Sequence, residues 1–213
     1  MAAFRFRLIA ESDALRIPEG ATVELEAGGH ITPLASDTIA ARRIRVVRAG
    51  TLDATLPADL APVFPIARIA IGGDHGSLVL KAAITTHLRA AGLAVDDLGT
   101  HSTDPVDYPN IAQIVARAVV RREADAGIVI DGAGLGSAMA ANKVHGIRAA
   151  MCNSLTLARY AREHNGANVL ALGATLVTPA DAIAIVDAWR STPMTEARYL
   201  RRLLELRRVE GAG

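Results

Sequence analysis

Apolar positions along this chain follow two regimes that change close to residue 65. Beyond it, short apolar runs alternate with longer segments whose apolar positions recur at helical spacing. Ala67–Ile71 is a short strand leading into Gly72-Gly73-Asp74-His75-Gly76, and Leu78–Ala91 is a helix closed by Gly92. Ala94–Leu98 is a second strand, and Asn110–Arg122 is helical after Pro105 and Pro109. Ala126–Ile130 is the next strand, and Ser137–Asn142 begins a helix. The alternation continues with a strand at Ala149–Cys152, a helix at Leu155–His164, a strand at Val169–Leu172 and helices at Pro179–Arg190 and Glu196–Arg208. Strands separated by helices of this length pair in parallel through right-handed crossovers, which predicts an α/β, Rossmann-like three-layer sandwich with a parallel sheet.

Before residue 65 the pattern differs. Phe4–Ala10, Thr22–Ala27 and Arg43–Val47 show the alternation and β-branching of strands. Thr32 reads as the cap, and Pro33 as the first residue, of a short helix that continues through Ala35–Arg42. The segment PADLAPVFP, Pro57–Pro65, holds three prolines in nine residues and reads as a linker. The chain therefore divides into a small β-rich N-terminal module, residues 1–64, and an α/β domain, residues 65–213. The module is either a folded accessory unit or a docking segment with little core of its own.

Composition narrows the functions open to such a chain. Of its 213 residues 51% are hydrophobic and only 3% aromatic, so stacking platforms for single-stranded nucleic acid are scarce. The net charge of +1 gives no overall attraction to nucleic acid or to an anionic membrane. No stretch approaches the roughly 18 uninterrupted apolar residues of a membrane span, and the N-terminus has acids too early for a secretory signal. Cys152 is the single cysteine, which excludes an internal disulfide and a cysteine-rich metal site. These readings predict a cytoplasmic protein.

The chemistry concentrates at the ends of the predicted strands. In Ile128–Lys143, IVIDGAGLGSAMAANK, the alternating Gly132, Gly134 and Gly136 let backbone N–H groups converge on one small volume. Such a loop binds an oxyanion or a phosphate. Asp131 sits just before it, at the carboxyl end of an apolar strand, where ligands of open α/β sheets bind. A carboxylate beside an oxyanion-binding loop is the minimal equipment for moving a proton next to a carbonyl. Four further clusters accompany it: Asp74-His75, Asp107-Tyr108-Pro109, Arg162-Glu163-His164-Asn165, and the pair Arg198 and Arg202, one helical turn apart. Two guanidinium forks on one helix face suit a phosphate. Taken singly, each cluster also reads as ordinary structure: a capping acid, a turn, a helix-terminal cation, a surface charge pair.

Their order along Ile66–Leu206 resembles the ribose-5-phosphate isomerase B and galactose-6-phosphate isomerase family. The matching pieces are GGDHG, DLGT, VDYP, the glycine-rich loop, AANKVHGIRAA, AREHNGANVLALGA and the terminal Arg-x-x-x-Arg. The resemblance implies aldose–ketose interconversion of a phosphorylated sugar, without metal or cofactor, in a homodimer or tetramer whose sites combine residues of two subunits. Asp74, His75 and Tyr108 would contact the substrate, with Asp74 and His75 on the sugar and its phosphate. His164 would help open the sugar ring, and Asn165 would bind the sugar. Arg198 and Arg202 would hold the phosphate from a neighbouring subunit. Backbone N–H groups of Gly132, Ala133, Gly134, Leu135 and Gly136 would stabilise the enediolate.

Three departures stand out. The family's usual base is a cysteine where this chain has Asp131, a hydroxyl side chain is usual at Ala133, and an arginine is frequent at Thr175. A glutamate that some members place after the loop is here Ser137. Asp131 becomes the expected base, with ribose 5-phosphate to ribulose 5-phosphate the leading reaction and a six-carbon sugar phosphate next. The rival reading is a non-catalytic sugar-phosphate-binding protein that keeps the grip and not the chemistry. A third makes the chain chiefly a scaffold. The run Ile31–Asp37, ITPLASD, resembles a T-P-x-A-x-D segment of some bacterial microcompartment enzymes, among them ethanolamine-utilisation cobalamin adenosyltransferases. That likeness implies a shell or cargo partner reached through residues 1–64.

Overall fold

The computed structural model describes residues 5–48 and 60–211. Phe4 of the first predicted strand and residues 57–59 of the predicted linker lie outside them. Two compact units are present. One comprises the described residues up to 48 together with Thr195–Arg201; the other comprises residues 60–194 with residues 202–211.

In the first unit, strands β1 (Arg5–Ile9), β2 (Thr22–Ile31) and β3 (Arg45–Arg48) form a parallel sheet in the order β1-β2-β3. Helices α1 (Glu11–Arg16) and α2 (Pro33–Ala41) supply the crossovers. The cap of α2 is as expected: Thr32 Oγ1 accepts from the Ala35 N–H at 3.3 Å, with Pro33 at the first helical position. The sequence pattern did not signal α1, a helix of six residues. Its local mark is Asp13, whose carboxylate accepts from the Ala10 N–H at 3.0 Å. The unit has a core of its own in Ile9, Ala14, Ile17, Val23, Leu25, Ala35 and Ile44. On the other face of the sheet Arg5 and Glu24 pair in solvent at 3.0 Å.

The second unit holds strands β4 (Arg68–Gly73), β5 (Ala94–Asp97), β6 (Ala126–Asp131), β7 (Ala149–Met151) and β8 (Val169–Gly173). They form one parallel sheet in the order β5-β4-β6-β8-β7. The intervening helices are α3 (Leu78–Ala90), α4 (Tyr108–Val120), α5 (Leu135–Ala141) and α6 (Leu155–Glu163); α7 (Pro179–Ser191) and α8 (Ala197–Gly211) follow the last strand. Helix α4 starts two residues before its predicted position, because Pro109 falls in the first turn, where no N–H is needed.

Side-chain size on the strands sorts the two helical layers. Ile69, Ile71, Ile128, Ile130, Leu170 and Leu172 face α3, α6 and α7, whereas Ala70, Val129, Val169 and Ala171 face α4 and α5. The second face is thin enough for α4 to approach the backbone. A Cβ on Gly72 would lie 2.7 Å from Ile111 Cγ2, and one on Gly127 would lie 2.8 Å from Val115 Cγ1. All six residues of β6 are buried, as a strand covered on both sides requires.

Candidate active site

The carboxyl ends of β4, β6 and β8 are laced together. The Asp74 N–H donates to the Ile130 carbonyl at 3.0 Å, and the Ala174 N–H donates to the Asp131 carbonyl at 2.8 Å. Asp131, the last residue of β6, is 5% exposed. Its Oδ1 accepts the Ala133 N–H at 2.9 Å and the Gly134 N–H as well, and its Oδ2 accepts the Ser137 N–H at 2.7 Å. Two of the loop N–H groups expected to face an enediolate thus point at the protein's own carboxylate in this structure.

The loop is braced from outside too. Both the N–H and the hydroxyl of Thr175 donate to the Gly132 carbonyl, at 3.0 and 2.7 Å. Gly134 has a φ of +76° and lies so close to β8 that a Cβ would stand 2.8 Å from the Leu172 carbonyl carbon. A Cβ on Gly136 would lie 2.5 Å from Cζ of Tyr108, so the tyrosine ring rests directly on the loop. Leu135, the first residue of α5, is exposed.

Asp74 caps one turn of 3-10 helix, accepting the Gly76 N–H at 3.0 Å. His75 is exposed, and its Nδ1 faces the Val106 N–H at 3.3 Å. A backbone N–H only donates, so Nδ1 is the acceptor and the neutral ring carries its proton on Nε2. Behind this turn lies a pair the sequence reading did not single out. Buried Lys81 binds the Asp97 carboxylate and donates to the Thr100 carbonyl at 2.8 Å. The strand end and the following loop exchange two more bonds, Gly73 N–H to Gly99 O and Thr100 N–H to Gly73 O, each 2.7 Å. The available signal was a lysine inside the otherwise apolar run LVLKAAI.

His164 and Asn165 lie at the opposite end of the sheet. Helix α6 starts beyond the carboxyl end of β7 and runs back, so His164, its C-cap, and Asn165 sit beside the amino ends of β7 and β8. The Asn168 N–H, which follows them, donates to the Arg148 carbonyl just ahead of β7 at 3.1 Å. One strand length, about 15–20 Å at ~3.3 Å per residue, separates this end from Asp131. The His164 ring stacks on Tyr160 with centroids 4.5 Å apart. Arg202 is exposed on α8, next to Leu203, whose Cδ1 would lie 2.6 Å from a Cβ on Gly166. Arg198 belongs to the first unit; it donates to the Tyr199 hydroxyl at 2.9 Å and covers that ring at 4.8 Å.

Cys152 does not join the site. It packs in the core under α6, and burial pushes its thiol up to about 12. Among the described residues no group of three or more His, Cys, Asp or Glu side chains is placed to hold a metal ion. None of the described helices is long and apolar enough to cross a membrane.

A parallel sheet with helices on both faces, a glycine loop after its central strand and an acid at that strand's end define a Rossmann-like α/β protein of the kind that binds ligands at the carboxyl ends of its strands. The profile described as Ribose/Galactose Isomerase matches residues 69–206, and the chain belongs to that family. Ribose-5-phosphate isomerase B of Escherichia coli strain K12 is 42% identical over 143 residues, covering 67% of this chain and 96% of that protein. The Mycobacterium leprae protein of the same name is 39% identical over 140 residues, covering 65% of this chain and 86% of that one. The solved Clostridium thermocellum ribose-5-phosphate isomerase B superposes with a TM-score of 0.67 at 46% identity, covering 68% of this chain and 98% of that one. The Mycoplasma genitalium enzyme with bound ribulose-5-phosphate gives 0.66 at 39% identity, covering 68% and 97%.

Proposed function

We propose that the protein is an aldose–ketose isomerase of a phosphorylated sugar, with ribose 5-phosphate and ribulose 5-phosphate as the leading pair and Asp131 as the base. Family membership supports the sugar-phosphate isomerase class. The observation that carries the assignment of the base is a buried carboxylate at the carboxyl end of the central strand, where this fold places its ligands. In the reaction Asp131 takes the proton from C2, and the C1 carbonyl becomes an enediolate oxygen. The O2 proton passes to O1, and the carboxylic acid returns its proton to C1 to complete the ketose. Two N–H bonds on Oδ1 and one on Oδ2 leave Oδ2 a lone pair for this task.

Asp74, Tyr108 and the Nε2–H of His75 would bind the substrate beside Asp131. His164 as ring opener, Asn165 on the sugar, and Arg198 and Arg202 on the phosphate would come from a second subunit of a homodimer or tetramer. The strand length separating His164 and Asn165 from Asp131 within one chain supports this division. The N-terminal unit, by the likeness of Ile31–Asp37, would carry the enzyme to a microcompartment shell or cargo partner.

One observation favours the rival, a sugar-phosphate-binding protein without turnover. Three N–H donors already occupy the Asp131 carboxylate and turn it onto its own loop rather than toward a substrate. The discriminating experiment is ribulose 5-phosphate formation from ribose 5-phosphate by the purified protein beside its Asp131→Asn variant. Turnover in the wild type that collapses in the variant supports the enzyme. A wild type that binds the sugar phosphate without converting it supports the binding protein or another sugar.

A further inference from the structure

Residues 60–63 are not a passive approach to β4. Leu60 is 1% exposed. Two guanidinium groups reach the main chain of this segment, at Leu60 and at Val63. Arg162, itself 0% exposed, donates from Nη2 to the Val63 carbonyl at 2.8 Å and from Nη1 to the Ala167 carbonyl at 2.8 Å. Arg148 donates from Nη2 to the Leu60 carbonyl at 3.4 Å and from Nε to the Gly166 carbonyl at 2.8 Å. Each arginine therefore holds the 60–63 segment with one arm and the turn after His164 and Asn165 with the other.

The packing repeats this bracket. Gly166 has a φ of +56°, and a Cβ there would lie 2.6 Å from Leu203, 3.2 Å from Met194 and 3.3 Å from Cδ of Pro62. The Arg162 guanidinium lies 5.0 Å from the Trp189 ring centroid, and its Nε has no acceptor. Burial and the nearby Arg148 charge lower Arg162 to about 10. A guanidinium so buried is costly unless its hydrogen bonds are kept, and one of them depends on Val63.

We infer that residues 60–63 form a positioning strap that, through Arg148 and Arg162, sets the turn bearing His164 and Asn165. The segment ahead of the family-matched region is then a working part of the site. The inference rests on the functional reading above, which gives those two residues their roles.

The test uses the full-length chain with Leu60→Asp, which drives the strap out of its seat, and Leu60→Met, which conserves volume. The readouts are KM and kcat on ribose 5-phosphate, and amide hydrogen exchange. Misaimed site residues lose about tenfold or more in rate from displacements near 1 Å. In Leu60→Asp, kcat/KM is expected to fall at least about tenfold with KM raised, because Asn165 contacts sugar; a smaller folded fraction would lower kcat at constant KM. Exchange should rise at Gly166 and Ala167 and stay unchanged at Gly132–Gly136, and Leu60→Met should restore both readouts. Unchanged kinetics with the strap released would overturn the inference. So would exchange that rises across β6, a sign of general loosening. If the wild type shows no turnover, the isomerase reading fails and the strap is judged on the locality of exchange alone.

Discussion

The two parallel sheets of this protein are covered differently. The five-stranded sheet carries helices on both faces, and its central strand AGIVID is buried at every position. The three-stranded sheet packs α1 and α2 on one face and keeps the Arg5–Glu24 pair in solvent on the other. Parallel strands usually need both faces covered, so the smaller unit draws its stability from one thin core. The larger sheet holds the Asp131 carboxylate and its loop through three N–H bonds and the close approach of Gly134 to β8. Among the described residues the larger sheet is thus packed on two faces, whereas the smaller unit gathers seven buried side chains into one core.

The largest expected effect belongs to the site itself. Asp131→Asn should cut turnover by about 10²-fold or more, the usual worth of a general base, while circular dichroism stays native. Retention of wild-type rates would remove the catalytic role from this end of the sheet.

Core truncations sharpen the contrast between the units. Leu170→Ala, on β8 in the large core, should cost about 3 kcal/mol in urea unfolding and lower the midpoint of the main transition. Leu25→Ala removes the same side chain from the small core and should also cost about 3 kcal/mol. There it should lower a separate transition of the N-terminal unit and leave the main transition in place. A single shared transition in both variants would break the distinction.

A pH experiment reports on the large core by a different route. Burial raises the Cys152 thiol from 9.0 to about 12, so the unfolded chain ionises there first. Between pH 9 and 12 the folded state retains a proton that the unfolded state releases, and stability must fall as pH rises through that window. Cys152→Ala should flatten this slope, as read by denaturation at pH 8, 9 and 10. The smallest effect is expected on the exposed sheet face: Arg5→Ala should change stability by less than about 1 kcal/mol, because the pair lies in solvent.

Much of the chain was legible because its signals are short-range. The strand preceding the glycines, the cap at Thr32, and the proline and glycine boundaries all act within a few residues. The parallel pairing followed from the alternation of strand and helix. Helix α1 was missed because six residues give too little periodicity to separate from a loop. The prolines of the 57–65 segment signalled an interruption, and from Leu60 onward that segment is tied down by arginines 88 and 99 residues away.

By itself the sequence determined every described element but the short α1, the α/β class, the glycine loop behind Asp131 and the family, since each is written in neighbouring residues or in their order. Only the tertiary structure decided where those elements point. The crossovers put His164 and Asn165 at the end of the sheet away from Asp131, because α6 must return before β8 can begin. The fold also turned the Asp131 carboxylate onto its own loop and pressed Tyr108 against Gly136. Those outcomes depend on how distant backbone segments close-pack and satisfy buried donors, and no local pattern in the chain carries that information.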